Sequence, residues 1–162
     1  MNALVLWLQS TGVSHFVVSN TWVWPLCETL HFIGLALVIG IVGFFDLRLI
    51  GFFRQIPVSA ARELMPFALF GFGLNLVTGV LFFVGHPEQY VHDMAWWLKV
   101  GSLALAGLNA AVFEAAVGAR TVTVGAGEET PAAAKAIGVV SIVAWFGVLF
   151  WGRMLPFIGN AF

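Results

Sequence analysis

A chain of 162 residues carries 60% hydrophobic, 15% aromatic and only 9% charged side chains, against about 25% charged in an ordinary soluble domain; it cannot present a solvated surface on every side and belongs in lipid. A formal net charge of -1 gives none of the basic footprint that nucleic acid demands. A single cysteine, Cys27, rules out an intrachain disulfide, an iron–sulfur cluster and a CxxC redox motif, and reads as a small buried apolar residue.

The length fits one transmembrane domain, residues 1–162, with room for four spans and short connections. Asn2 to Gln9 has no basic residue and too short an apolar run for a signal peptide. Residues 2–18 are predicted instead as a short helix at the membrane interface, with Trp7 and Phe16 on its apolar surface. Spans are predicted at roughly 25–47, 65–85, 95–117 and 136–158. Each must be helical, because lipid offers backbone amides no partner. Pro25 suits a first helical position, and Pro87 stops the second helix just after His86. Gly118 is expected to end the third, and Gly125 to Pro131 to form a flexible loop before the fourth. The fold class is an all-α, integral membrane four-helix bundle, up-down-up-down.

Arg48, Arg54 and Arg62 flank the first connection, Arg120 and Lys135 the third, while the N-terminal tail and residues 86–94 hold neither Lys nor Arg. The positive-inside rule puts connections one and three in the cytoplasm and both termini outside, in a bacterial cytoplasmic (inner) membrane. Trp22, Trp24, Trp96 and Trp97 then form an aromatic belt at the outer interface. On the second helix Gly71, Asn75 and Gly79 recur every four residues, a narrow face that admits a close neighbour.

Ionisable groups inside a span are functional candidates by default. His31 lies roughly 9 Å below Pro25, with Glu28 one turn above it on the same face. Lys99 lies about one turn below the outer tryptophans, and Arg153 at roughly the depth of His31. His86 sits at the rim. Glu28, His31, His86, Lys99 and Arg153 are therefore expected to share one outer pocket if their side chains turn inward. Structural alternatives stand beside this: a Glu28–Arg153 ion pair, Lys99 snorkelling to the headgroups, and His31 as a helix-packing residue. At the inner end, Asp46 and Glu114 are expected to pair with Arg48, Arg54 or Arg120, and Asn75 with Asn109 across helices two and three.

Leu30-His31 followed by Gly43 to Leu49, and Trp96-Trp97-Leu98-Lys99, resemble segments of the HemJ-type protoporphyrinogen oxidase family, a style shared by CopD-like membrane proteins. Glu28 to His31, Lys99 and Gly152-Arg153 resemble a group of small bacterial four-helix membrane proteins of no established activity. The first resemblance implies haem binding; the second implies fold and topology. Asp46, and Asn109 in place of a helix-three histidine, depart from the HemJ pattern.

Two functions stay open. In the first, the protein binds haem b and passes electrons to or from a quinone or partner protein. His31 would be an axial ligand, His86 a candidate sixth ligand, and Lys99 and Arg153 partners of the propionates near Glu28. In the second, it is a cofactor-free small transporter, or a subunit or assembly factor of a larger complex. A copper or zinc site at His31, His86 and Glu28 is a third option, and a homo-oligomer is compatible with all three. No nucleophile–base pair, phosphate loop or carboxylate dyad marks an enzyme.

Overall fold

A computed structural model describes residues 3–158, all of it helix and connecting loop. The N-terminal segment forms two short helices, α1 (Ala3–Gln9) and α2 (Gly12–Ser19), rather than one. Thr11 separates them, because its side chain accepts from Ser14 N and caps α2. Asn2 lies outside the described residues. Four long apolar helices follow, each long enough to cross a membrane. They are α3 (Val23–Ile50), α5 (Met65–Gly85) preceded by the short α4 (Val58–Arg62), α7 (Met94–Val112), and α9 (Ala132–Ile158). A short α6 (Pro87–Val91) joins α5 to α7.

Two expected boundaries move. Pro25 is the third residue of α3, not the first, which its missing amide proton permits in any first turn. Gly118 does not end the third span: a π-helical turn, Phe113–Gly118, carries α7 into the last turn α8 (Ala119–Thr121). His86 falls between α5 and α6 with Pro87 starting the new helix, as the proline implies.

Small residues decide which helices meet. A side chain added at Gly34 would strike Gly71 O at 2.6 Å, and one at Gly71 would strike Gly34 O at 2.7 Å. This reciprocal crossing of α3 and α5 brings the backbones together as only glycine allows. One turn on, the Asn75 amide spans the α3 backbone, donating to His31 O at 2.7 Å and accepting from Leu35 N at 3.0 Å. Gly79 faces the His31 ring. The Gly71-Asn75-Gly79 stripe is thus the face of α5 that packs on α3.

In the other hairpin Gly147 of α9 admits Ser102 of α7, and Gly138 of α9 sits against the α3 backbone at Asp46. The hairpins therefore join along α3 and α9, and α5 and α7 barely touch. The expected Asn75–Asn109 bond does not form for this reason. Asn109 Nδ2 instead donates to Ile137 O on α9 at 3.1 Å.

The basic end is closed by its two connections. Gly127 N donates to Arg54 O at 2.7 Å, Val58 N to Val124 O at 3.1 Å, and the Thr130 hydroxyl to Leu49 O. Arg48, fully buried, lies among them. Its Nε donates to Ile56 O at 2.5 Å and its Nη2 to Gly125 O at 3.1 Å and Glu128 O at 3.3 Å. Standing in the last turn of α3, it also meets the negative end of that helix dipole.

Candidate functional site

The polar residues divide between two places. At the tryptophan end, His31 Nδ1 lies 2.7 Å from Thr78 Oγ1, and the Thr78 hydroxyl donates to Leu74 O at 2.7 Å. A hydroxyl has one proton to give, so Nδ1–H is the donor and Nε2 keeps its lone pair. Such a bond between membrane helices contributes about 0.6–2 kcal/mol and fixes the ring. Phe82 meets the ring edge-on at 5.7 Å between centroids.

The other expected members of this pocket do not converge on His31. His86 packs on Trp24 at 5.3 Å, and Trp24 packs on Phe82 at 4.8 Å, so two aromatic rings stand between the histidines. His86 Nδ1 lies 3.4 Å from Glu88, which also accepts from Gln9. Glu28 is exposed and accepts from Trp24 Nε1 at 3.1 Å, so no Glu28–Arg153 ion pair forms. Arg153 is exposed, its guanidinium over the Phe157 ring at 4.9 Å. Lys99, half-buried, lies along Gly152 of α9 and close enough to His31 for its charge to act on the imidazole. Of the tryptophan belt, Trp22 and Trp97 face outward. Trp24 turns in, and Trp96 stacks on Phe83 at 5.2 Å, bridging α5 and α7 at this end. Among the described residues no three of His, Cys, Asp and Glu form a metal-binding group.

Tyr90, in α6, sits among these acids. Burial first, then the Glu28, Asp93 and Glu88 carboxylates, push its phenol up to about 12. An unfolded tyrosine ionises near 10, so between about pH 10 and 12 the folded protein holds a proton the unfolded chain has lost. Stability falls across that window as pH rises. Tyr90 is the only tyrosine, so tyrosinate absorbance near 295 nm reports it alone. One late transition is expected, moving to lower pH in Glu28→Gln; a transition at pH 10 in the folded wild type would contradict this environment.

The second place is the open side of the bundle. Between α5 and α7, with α3 and α9 behind, lies a cavity of about 500 Å³. Phe72, Leu103, Ala106 and Trp145 line it with apolar surface. Asp46, only 3% exposed, and Ser141 stand at its back, and Asn109 on its α7 wall. The Arg62–Glu114 ion pair, N···O 2.7 Å, crosses it at the basic end. Glu114 belongs to the π-helical turn, a local change of helical register that often marks functional sites. The expected pairing of the inner-end charges is therefore corrected in both members. Glu114 takes Arg62, and Asp46 has no basic partner: Ser141 faces its carboxyl, and Oδ2 is buried with no hydrogen-bond partner among the described residues.

A second cavity, about 470 Å³, lies on the flank of α3 and α5 and is lined almost wholly by apolar groups such as Leu26, Leu30 and Val77. His31 lines neither cavity. Sequence reasoning placed Asp46 and Glu114 in ion pairs with Arg48, Arg54 or Arg120 at the inner end and missed the cleft; the available signal was the small-residue run of the third span from Gly101 to Ala116. No protein-family model, curated protein or solved structure matches the chain.

Proposed function

We propose that this chain is a small multi-pass membrane protein that holds a lipid-soluble small molecule in the cleft between α5 and α7. The observation that carries the reading is the cleft itself. Its volume falls within the ordinary range for small-molecule sites, about 300–1,000 Å³, and it pairs apolar walls with few polar groups, as such sites do. The sparse α5–α7 contact, carried by the Phe83–Trp96 stack at the tryptophan end, leaves a lateral way in from the bilayer. This is the cofactor-free reading, a carrier or a ligand-holding subunit. The positive-inside rule directs the Arg48 end, and with it the Arg62–Glu114 end of the cleft, to the cytoplasm of a bacterial inner membrane.

Native mass spectrometry of protein taken from its own membrane in mild detergent tests it. A non-covalent adduct is expected on the wild type and is lost in Ala106→Phe, which fills the cleft; the loss counts only where circular dichroism of the variant matches the wild type, because Ala106 is buried. A wild type that never carries an adduct, or an adduct that survives this substitution, sinks the reading.

The oriented imidazole favours a second reading, haem b on His31. A hydrogen bond that fixes one ring nitrogen and leaves the other free is the usual support of a metal-ligating histidine. Bound there, haem would supply one-electron redox chemistry to a quinone or partner protein. The residues fit only in part: His31 offers one ligand and Lys99 one cation, while His86 stands behind Trp24 and Phe82 and Arg153 faces outward. A Soret band in the same preparation, lost in His31→Ala, would move the conclusion to haem.

A further inference from the structure

An ionised carboxylate removed from water costs several kcal/mol unless it finds a partner (about this much per ion after relaxation), and Asp46 Oδ2 has none among the described residues. Each of the seven basic residues is placed elsewhere. The nearest in sequence, Arg48, gives its Nε and Nη2 to the carbonyls of Ile56, Gly125 and Glu128, and its buried Nη1 has no partner among the described residues. Arg62 is held by Glu114, and Arg54 and Lys135 by Glu129. Arg120 is exposed, Arg153 lies over Phe157, and Lys99 lies along Gly152 at the opposite end. Counting Asp46, Glu114 and Arg62, the charged groups lining the cleft sum to one formal negative charge. The cleft is therefore an apolar chamber with a single uncompensated acid in its back wall.

We propose that Asp46 is the recognition group of this cleft and that its ligand is a free amphipathic amine: an apolar body in contact with Phe72 and Trp145, and a primary ammonium that pairs with the Asp46 carboxylate. The inference rests on the cleft being a ligand site and adds the chemical class. An ammonium offers three donors and a compact charge, which meets both wants of the site, the missing charge and the missing hydrogen bond. Ser141 stands beside the carboxyl in the same wall. A chamber of about 500 Å³ suits a drug-sized molecule rather than a two-chain lipid.

The test uses the full-length protein in nanodiscs of phosphatidylcholine alone, with three isosteric probes: 4-phenylbutylamine, 4-phenylbutanol and 4-phenylbutyrate. The wild type is expected to bind the amine at least about tenfold more tightly than the alcohol, and the carboxylate worst of all. Asp46→Asn is expected to erase the amine's advantage while alcohol binding persists; Glu114→Gln, whose target is already paired, keeps most of it. The ranking on the wild type stands by itself if Asp46→Asn fails to fold. Equal binding of amine and alcohol, or an amine preference that survives in Asp46→Asn, overturns the assignment. Loss of amine binding in discs containing phosphatidylethanolamine also overturns it, because the carboxyl then serves a lipid headgroup. If no probe binds and Ala106→Phe changes nothing, the cleft reading itself has failed; if the alcohol binds and the amine gains nothing, only the amine has.

Discussion

Gly71→Leu is expected to unfold the α3–α5 hairpin in mild detergent, with a loss above about 3 kcal/mol, beyond the usual cost of overpacking a core. The reason lies in what the new side chain meets. Its Cβ alone would stand 2.7 Å from Gly34 O and 2.8 Å from Leu37 Cβ, and backbone cannot swing aside as a flexible side chain does. Separating the helices would also pull the Asn75 amide from His31 O and Leu35 N and break the His31–Thr78 bond. Gly40→Leu is the control, on α3, the partner helix of the crossing, and with nothing within 4 Å of its Cβ. It should be close to neutral. Thermal unfolding followed by circular dichroism checks both; equal effects at the two positions would refute the crossing.

Arg48→Met is expected to cost about 3 kcal/mol or more, since hydrogen bonds to a charged group contribute about 1.5–3 kcal/mol each and three carbonyls lose theirs together. Those carbonyls belong to both connections at the basic end, so the two loops should loosen at once. Proteolysis within Gly125 to Pro131 is the sensitive readout, and it should quicken before the spans themselves unfold. Arg48→Lys should recover only part of the loss, because one ammonium on a flexible stem cannot replace the planar fork. Full rescue by lysine would mean that charge, not geometry, is what the loops require.

Hydropathy made the four spans legible because each must shield its own backbone from lipid. The Gly71-Asn75-Gly79 stripe was legible as well, since a four-residue repeat of small groups on one helix can serve only close packing. The partner of that stripe was not. Spacing along α5 says which face is small, not whether α3 or α7 lies against it, and so Asn75 was matched with Asn109 rather than with the α3 backbone. Asp46 was misread for a related reason. Arginines two and eight residues away look like counterions in sequence. Only the folded loops show that Arg48 and Arg54 are engaged by carbonyls and by Glu129. Glu28 and Asp46 lie five turns apart on one face of α3, yet only Asp46 is covered, by α9 at Gly138. Depth arithmetic already set His31 and His86 about 9 Å apart along the bundle, and it could not foresee that Trp24 and Phe82 lie between them. The π-helical turn that carries Glu114 has no residue pattern that announces it.

The cleft between α5 and α7 is where a direct measurement decides most. A photo-crosslinking benzoylphenylalanine placed at Ala110, on the α7 wall of the cleft, can be activated in intact membranes and the product analysed by mass spectrometry. A single low-molecular-weight adduct at that position, displaced by 4-phenylbutylamine, is the predicted result. A crosslink to α5, to a second copy of the chain or to another protein would show that the open side is closed by polypeptide, and would contradict the account.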